Sequence, residues 1–208
     1  GSDRNHNYGD TDRALHFFGR CSNFMRMADI KPFQAVKLIC GVIFSNEEHL
    51  RKAEDCLIGL YGPADSRSLP FDFDLTDYYE SQMGKNLKRT FFSFQDLIVP
   101  EQLSEIKIRS NKLEEEIRRE FKAALRIVNL DPGYLTRAAL IMATAKDFSH
   151  RVPLAGGVYA HLEFLFTKTG IRRLDWTYPD SLKEEYQTYF LGVRKTYLDQ
   201  LRQKSGRP

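Results

Sequence analysis

The run Val36-Lys37-Leu38-Ile39-Cys40-Gly41-Val42-Ile43-Phe44 constrains the fold more than any other feature of the chain. It is the longest apolar stretch, yet it falls well short of the roughly 20 residues that a membrane-spanning helix needs. Its continuous apolar character is that of a buried strand. No stretch of the chain predicts a membrane span.

The segments that follow alternate helical and strand patterns. Ser45 and Glu48 fit a capping box, and Leu50, Ala53, Leu57 and Leu60 keep helical spacing until Tyr61-Gly62-Pro63. Phe71-Asp72-Phe73-Asp74 reads as a strand with both acids on one side. After the turn signal Met83-Gly84, Thr90-Phe91-Phe92-Ser93-Phe94 reads as another. Pro100 suits a first helical turn, and Leu103, Ile106, Ser110, Leu113, Ile117 and Phe121 carry a helical stripe from there.

Arg126 to Leu130 is strand-like, and Asp131-Pro132-Gly133-Tyr134 predicts a type II turn at its end. Ala138 to Lys146 fits a short helix or a strand, with helix the favoured reading. Arg151 to Leu154 and Val158 to Phe166 flank Ala155-Gly156-Gly157 as a hairpin. Ser181 and Glu184 form a second capping box, and Leu182, Tyr186, Phe190, Val193, Tyr197 and Leu201 mark one face of a final helix.

These elements predict an α+β fold with a mostly antiparallel sheet and its helices mainly on one face. The expected order is ferredoxin-like, β-α-β-β-α-β, followed by a hairpin and a C-terminal helix. Gly1-Ser2 reads as a tag remnant, residues 1–30 as an N-terminal extension, and residues 31–208 as one domain. If the extension is ordered, His16, Phe17 and Phe18 are expected to pack on a surface.

Composition narrows the function classes. At 208 residues, with 42% hydrophobic and 28% charged, the chain can bury a full core without disulfides. Its 15 Phe and 10 Tyr point to an aromatic core. The net charge of +3 is spread over interleaved acids and bases. Neither Lys85, Lys88 and Arg89 nor the tail from Arg194 to Arg207 is a dense basic stripe, so nucleic acid is not indicated as a partner. Cys21, Cys40 and Cys56 lack metal-ligand spacing, and Cys40 and Cys56 read as small buried hydrophobes of a reducing compartment. With no secretory signal, the expected location is cytoplasmic.

Four polar clusters are candidates for chemistry. In Asp72-Phe73-Asp74-Leu75-Thr76-Asp77-Tyr78-Tyr79, paired carboxylates could share a cation, although a solvent face gives the same alternation. In Asn129-Leu130-Asp131-Pro132-Gly133-Tyr134, Asp131 is a functional acid or a turn-stabilising one. Lys146-Asp147-Phe148-Ser149-His150-Arg151 leads into the hairpin strand that carries His161 and Glu163. If Leu154 faces Val158, then Asp147, Ser149, Arg151, His161 and Glu163 share a face. A two-residue turn at Gly156-Gly157 would instead align His150, His161 and Glu163 as a two-His-one-carboxylate metal site. The first register keeps the apolar residues together and is the expected one. The fourth cluster, Asp175-Trp176-Thr177-Tyr178-Pro179-Asp180, places the only Trp beside a Tyr, suited to stacking or to covering a core edge.

No G-x-x-x-x-G-K-[ST], strand-following G-x-G-x-x-G, C-x-x-C or G-x-S-x-G occurs. The order of Phe71-Asp72-Phe73, Thr76-Asp77-Tyr78-Tyr79, Asn129 to Leu135, Lys146 to Arg151 and Trp176 to Asp180 resembles the prokaryotic domain-of-unknown-function family 4416. The resemblance runs from about Val36 to Leu201. It implies that these motifs belong together and supplies no catalytic residue. Some members carry the label of a GTP-binding protein, for which this chain has no P-loop.

The expected activity is therefore binding of a small anionic ligand, such as a nucleotide or phosphorylated metabolite, with catalysis on it an open extension. The candidate ligand-binding residues are Asp77, Tyr78, Asp131, Tyr134, Lys146, Asp147, His150, Arg151, Trp176 and Tyr178. Lys146 and Arg151 would contact the anion, and the aromatics would stack. Asp77, Asp131, Lys146, His150 and Tyr178 are expected on one concave face. Two other readings stand beside this one: a non-enzymatic interaction module, and a metal-dependent hydrolase using Asp131, His150, His161 and Glu163 with Asp72 and Asp74.

Overall fold

The computed structural model describes residues 29–74 and 78–204. The architecture below is that of the unit that begins at Phe33. His16, Phe17, Phe18 and Cys21 lie outside the described residues, as do Thr76 and Asp77.

The apolar run forms β1 (Val36–Phe44), every residue of which is buried. Its continuity follows from period-two alternation between two cores. Leu38, Cys40, Val42 and Phe44 face α1 (Glu47–Tyr61) and α3 (Leu103–Glu120), packing on Leu50, Leu57, Ile106 and Leu113. Ile39 faces the other way, into a cluster with Phe91, Phe164 and, from α4 (Glu184–Lys204), Tyr186, Phe190 and Val193. Helices therefore cover both faces of the sheet, not mainly one. Full burial of each such aliphatic side chain contributes about 1.5–3 kcal/mol.

The remaining strands are β2 (Ala64–Arg67), β3 (Phe71–Asp72), β4 (Lys88–Ile98), β5 (Val128–Leu135), β6 (Ala139–Thr144), β7 (Val152–Pro153), β8 (Tyr159–Phe166) and β9 (Ile171–Arg173). Their order is β2-β4-β1-β5-β6-β8-β7, with β3 on β4 and β9 on β8. Each of these pairings is antiparallel. The fold is α+β with an antiparallel sheet and a C-terminal helix, as expected. The element order departs from the ferredoxin-like one, because β2 and the short α2 (Glu80–Met83) intervene and the sheet continues through β6 to β9.

Two expectations fail in a way that shapes the site. Ala138 to Lys146 is not a helix: Leu140–Met142 of β6 pair with β5, and residues along its full length pair with β8. The helix-forming Ala, Leu and Met residues are overridden by this two-sided pairing. Asp131-Pro132-Gly133-Tyr134 is not a turn but the middle of β5. Proline is tolerated there because of where its nitrogen points. The Leu130 N–H donates to Glu114 Oε1 at 2.8 Å, and Lys107 Nζ donates to the Leu130 carbonyl at 2.7 Å. Both backbone groups thus face away from β1, and by alternation those of Pro132 face the same edge. β6 pairs with β5 only from Gly133 onward, so the missing donor breaks no ladder bond.

The capping boxes also differ. Asn46, not Ser45, caps α1 by accepting the Glu48 N–H at 2.7 Å. Ser181 belongs to a 3-10 turn, Pro179–Leu182, that ends before α4 begins.

Candidate functional site

The site occupies the gap where β5 and β6 part. Gly133, Tyr134 and Leu135 pair with Met142, Ile141 and Leu140, after which β6 continues with β8 alone. A Cβ on Gly133 would lie 2.6 Å from the Ile141 carbonyl oxygen, so only glycine permits this crossing. Beyond it opens a cavity of about 780 Å³, walled by residues from β4, β5, β6, β8, α3 and the turn before α4.

One wall is a charge network fixed by α3 and β4. Arg89 on β4 stacks over Phe73, 4.4 Å from ring centre, and its side chain is largely buried. It pairs with Asp180 and donates to Asp131 at 3.2 Å. Lys107 Nζ lies 3.7 Å from the other Asp131 oxygen. Glu114 caps the open edge of β5 and lies 3.4 Å from Arg126. Burial pushes the carboxyl pKa of both Glu114 and Asp180 up, against the pull of these cations.

A second part of the lining is a buried relay on β8. The hairpin has the expected register, since Val152 pairs with Ala160 and Leu154 N–H donates to the Val158 carbonyl at 2.8 Å. Its sidedness is the reverse of ordinary amphipathicity: Val152 is 61% exposed, whereas His161 and Glu163 are each 1% exposed. A β-bulge helps, because Leu140 and Ile141 pair with Phe164 and Leu162, leaving Glu163 without a partner of its own on β6. His161 Nε2 lies 2.8 Å from Glu163 Oε2, and His161 Nδ1 lies 3.1 Å from His150 Nε2. His150 reaches His161 in this register because it precedes β7 and escapes the strand's alternation.

The hydrogen-bond pattern sets the tautomers. Arg151 Nε points at His161 Nδ1 from 3.4 Å, and a guanidinium can only donate. His161 Nδ1 is then a lone pair, Nε2–H donates to Glu163, and His150 presents Nε2–H to His161. Neutral His150 keeps its own Nδ1 as a lone pair, a usable base. Burial, with His161 and Arg151 nearby, lowers its pKa from the usual histidine value.

Of the sequence candidates, Tyr78, Asp131, Lys146 and Tyr178 line the cavity. His150, Arg151 and Trp176 stand behind that wall: His150 stacks on Trp176 at 4.8 Å and 8°, and Arg151 donates to the Tyr178 hydroxyl at 2.8 Å. Tyr134 packs against Leu103, Ala143 and Val158 instead, and burial raises its hydroxyl pKa. Asp147 is exposed and does not line the cavity. Asp77 lies outside the described residues. Asp72 and Asp74 do not join the site; Asp74 pairs with Lys183 at 2.8 Å. Among the described residues, no three His, Cys, Asp or Glu side chains are disposed to hold a metal ion.

Arg89, Lys107, Glu114, Arg126 and Asn129 also line the cavity, and of these only Asn129 lies in one of the four polar clusters of the sequence. The available signal was on α3, where Lys107 and Glu114, seven apart, border the stripe of Ile106, Ser110, Leu113 and Ile117. Charged residues at that spacing share the buried edge of a helix.

Fold and site together define an α+β domain with a polar cleft opened by two diverging strands. The chain belongs to the family described as Domain of unknown function (DUF4416), whose model matches residues 34–197. No curated protein and no solved structure matches it. Among the described residues, no helix is long and apolar enough to cross a membrane.

Proposed function

We propose that the cleft binds a small anionic ligand of the nucleotide or phosphorylated-metabolite class. The observation that carries this reading is the state of Lys146. Arg89, Lys107 and Arg126 line the same cavity, and each already faces a carboxylate. Lys146 Nζ instead sits 3.5 Å above the Tyr78 ring centre, with no ion pair to a carboxylate among the described residues. A cation held this way is a ready donor to a phosphoryl oxygen, and the rings of Tyr78 and Tyr178 line the same cavity. The cavity volume suits a ligand of that size.

The test is a thermal-shift titration with nucleoside monophosphates and sugar phosphates. At 100 times its dissociation constant a ligand should stabilise the fold by about 2.7 kcal/mol, and Lys146→Ala should remove most of that gain. Absence of any shift, or a shift untouched by Lys146→Ala, rejects the reading.

A further inference from the structure

We propose that Asn129 determines specificity in this cleft by donating from Nδ2 to an oxygen of the ligand, so that the ligand carries a hydrogen-bond acceptor where it meets β5. The inference rests on the reading of the cleft as a ligand site and specifies the chemistry of the ligand.

Asn129 is 3% exposed, and it lines the cavity. Its amide has a defined orientation. Arg126 Nη1 donates to Asn129 Oδ1 at 2.8 Å, and Arg126 has no acceptor to offer, so the oxygen must face it. Arg126 is held in turn by Glu114. The amide nitrogen therefore points away from this pair, and it is buried without a hydrogen-bond partner among the described residues. Buried donors are nearly always satisfied, so an orphan at the wall of a cavity calls for an acceptor inside it.

The neighbouring groups do not meet that need. Asp131 shares the face of β5 with Asn129, but its oxygens are turned to Arg89 and Lys107. No β6 residue pairs with β5 at this level, because the two strands have already parted. A phosphoryl, carboxylate or ring-carbonyl oxygen would satisfy Nδ2. An amino group would set N–H against N–H and be rejected, since a site built to hydrogen-bond one group excludes its mismatched analogue.

The experiment titrates wild type, Asn129→Asp and Asn129→Ala with inorganic phosphate, ribose 5-phosphate, inosine monophosphate and adenosine monophosphate, by calorimetry. The aspartate variant keeps the shape and the acceptor for Arg126 but replaces the donor with an acceptor. Every probe whose oxygen meets Nδ2 should bind Asn129→Asp at least about tenfold more weakly, as expected when a buried hydrogen bond is mismatched. The two nucleotides differ at ring position 6, a carbonyl against an amino group, and at the adjacent N1, which bears hydrogen in the first and is a bare acceptor in the second. If the acceptor is a ring carbonyl, wild type prefers the inosine nucleotide and Asn129→Asp reverses the preference. If it is a phosphoryl oxygen, the variant loses all phosphate-bearing probes alike.

Should either variant fold poorly, the side-chain amide resonances of wild-type Asn129 provide the readout, and they should move downfield with the same saturation as binding. Unchanged affinities in both folded variants, or unmoved amide resonances, overturn the inference and leave the cleft reading standing. Failure of every probe to bind wild type overturns the cleft reading, and the inference with it.

Discussion

His161 Nε2 stands 2.8 Å from Glu163 Oε2, with both side chains withdrawn from solvent at 1% exposure. The other Glu163 oxygen accepts the Tyr178 backbone N–H at 2.9 Å. The carboxylate thus serves two donors, one from the relay and one from the turn carrying the cleft tyrosine. Glutamine in its place has one acceptor oxygen and one donor nitrogen, so one of the two N–H groups must lose its partner. Glu163→Gln should therefore destabilise the fold by about 1–3 kcal/mol, the cost of a buried unsatisfied donor. Urea unfolding measures this as a lower midpoint at unchanged slope. A loss below about 0.5 kcal/mol, the ordinary surface range, would deny the pair its structural role.

The relay also makes a spectroscopic prediction. In long-range ¹H–¹⁵N spectra at neutral pH, His161 should carry its proton on Nε2, and His150 should also be the Nε2–H tautomer. A His161 proton on Nδ1 would contradict the geometry with Arg151, which can only donate.

Stability against pH follows from His150, whose folded pKa is lowered by burial and by His161 and Arg151. In the unfolded chain it takes up its proton near the ordinary value of about 6.5. As pH falls below that, the unfolded state binds the proton first and stability drops until the folded value is passed; above it the group contributes no slope. Wild type should lose more stability between pH 7.5 and 5.5 than His150→Gln. Equal losses would show that His150 is not held in its neutral form.

Much of this fold was legible in the sequence because period and length suffice for elements that pack on a core. Val36–Phe44 and the helix stripe from Leu103 to Ile117 are of that kind, whereas the hairpin keeps the expected register but buries His161 and Glu163 and leaves Val152 and Leu154 exposed. The β5–β6 region was not legible. Local rules read Asp131-Pro132-Gly133 as a turn and Ala138 to Lys146 as helix, and both lose to strand pairing that is long-range. The cleft exists only because those two strands run together and then part. Its polar wall was therefore hidden, although Asp131, Lys146 and Tyr178 stood out individually. Lys107 and Glu114 are buried because β5 packs on their edge of α3, a long-range contact that helical spacing alone does not predict.

Those two residues yield opposite expectations. Lys107→Met removes the donor to the Leu130 carbonyl and one of the cations beside Asp131, leaving a buried acceptor bare. It should cost about 1–3 kcal/mol. Glu114→Gln keeps an oxygen for the Leu130 N–H and removes a charge that burial disfavours. It should cost less than the lysine substitution despite weakening the contact with Arg126. Chemical denaturation of both variants decides the matter, and the reverse ranking would mean that the Arg126 contact outweighs the backbone cap.

The crossing at Gly133 provides the sharpest test of how the cleft is built. A Cβ there would meet the Ile141 carbonyl oxygen and Met142 Sδ, both at 2.6 Å. The thioether can swing away, but the carbonyl is backbone in a paired strand and can move only if β5 and β6 separate. Gly133→Ala should cost about 1–3 kcal/mol or more, as overpacking does, and should disturb ligand binding because the same separation reshapes the cavity. Gly59 is the control: it lies in α1, and a Cβ there meets nothing within 4 Å. Gly59→Ala should stabilise by about 0.4–1 kcal/mol through reduced freedom of the unfolded chain. The pair of substitutions is chemically identical and should shift the melting midpoint in opposite directions. A Gly133→Ala protein as stable as wild type would mean that β5 and β6 do not cross as closely as this geometry requires, and the cleft would lose its structural cause.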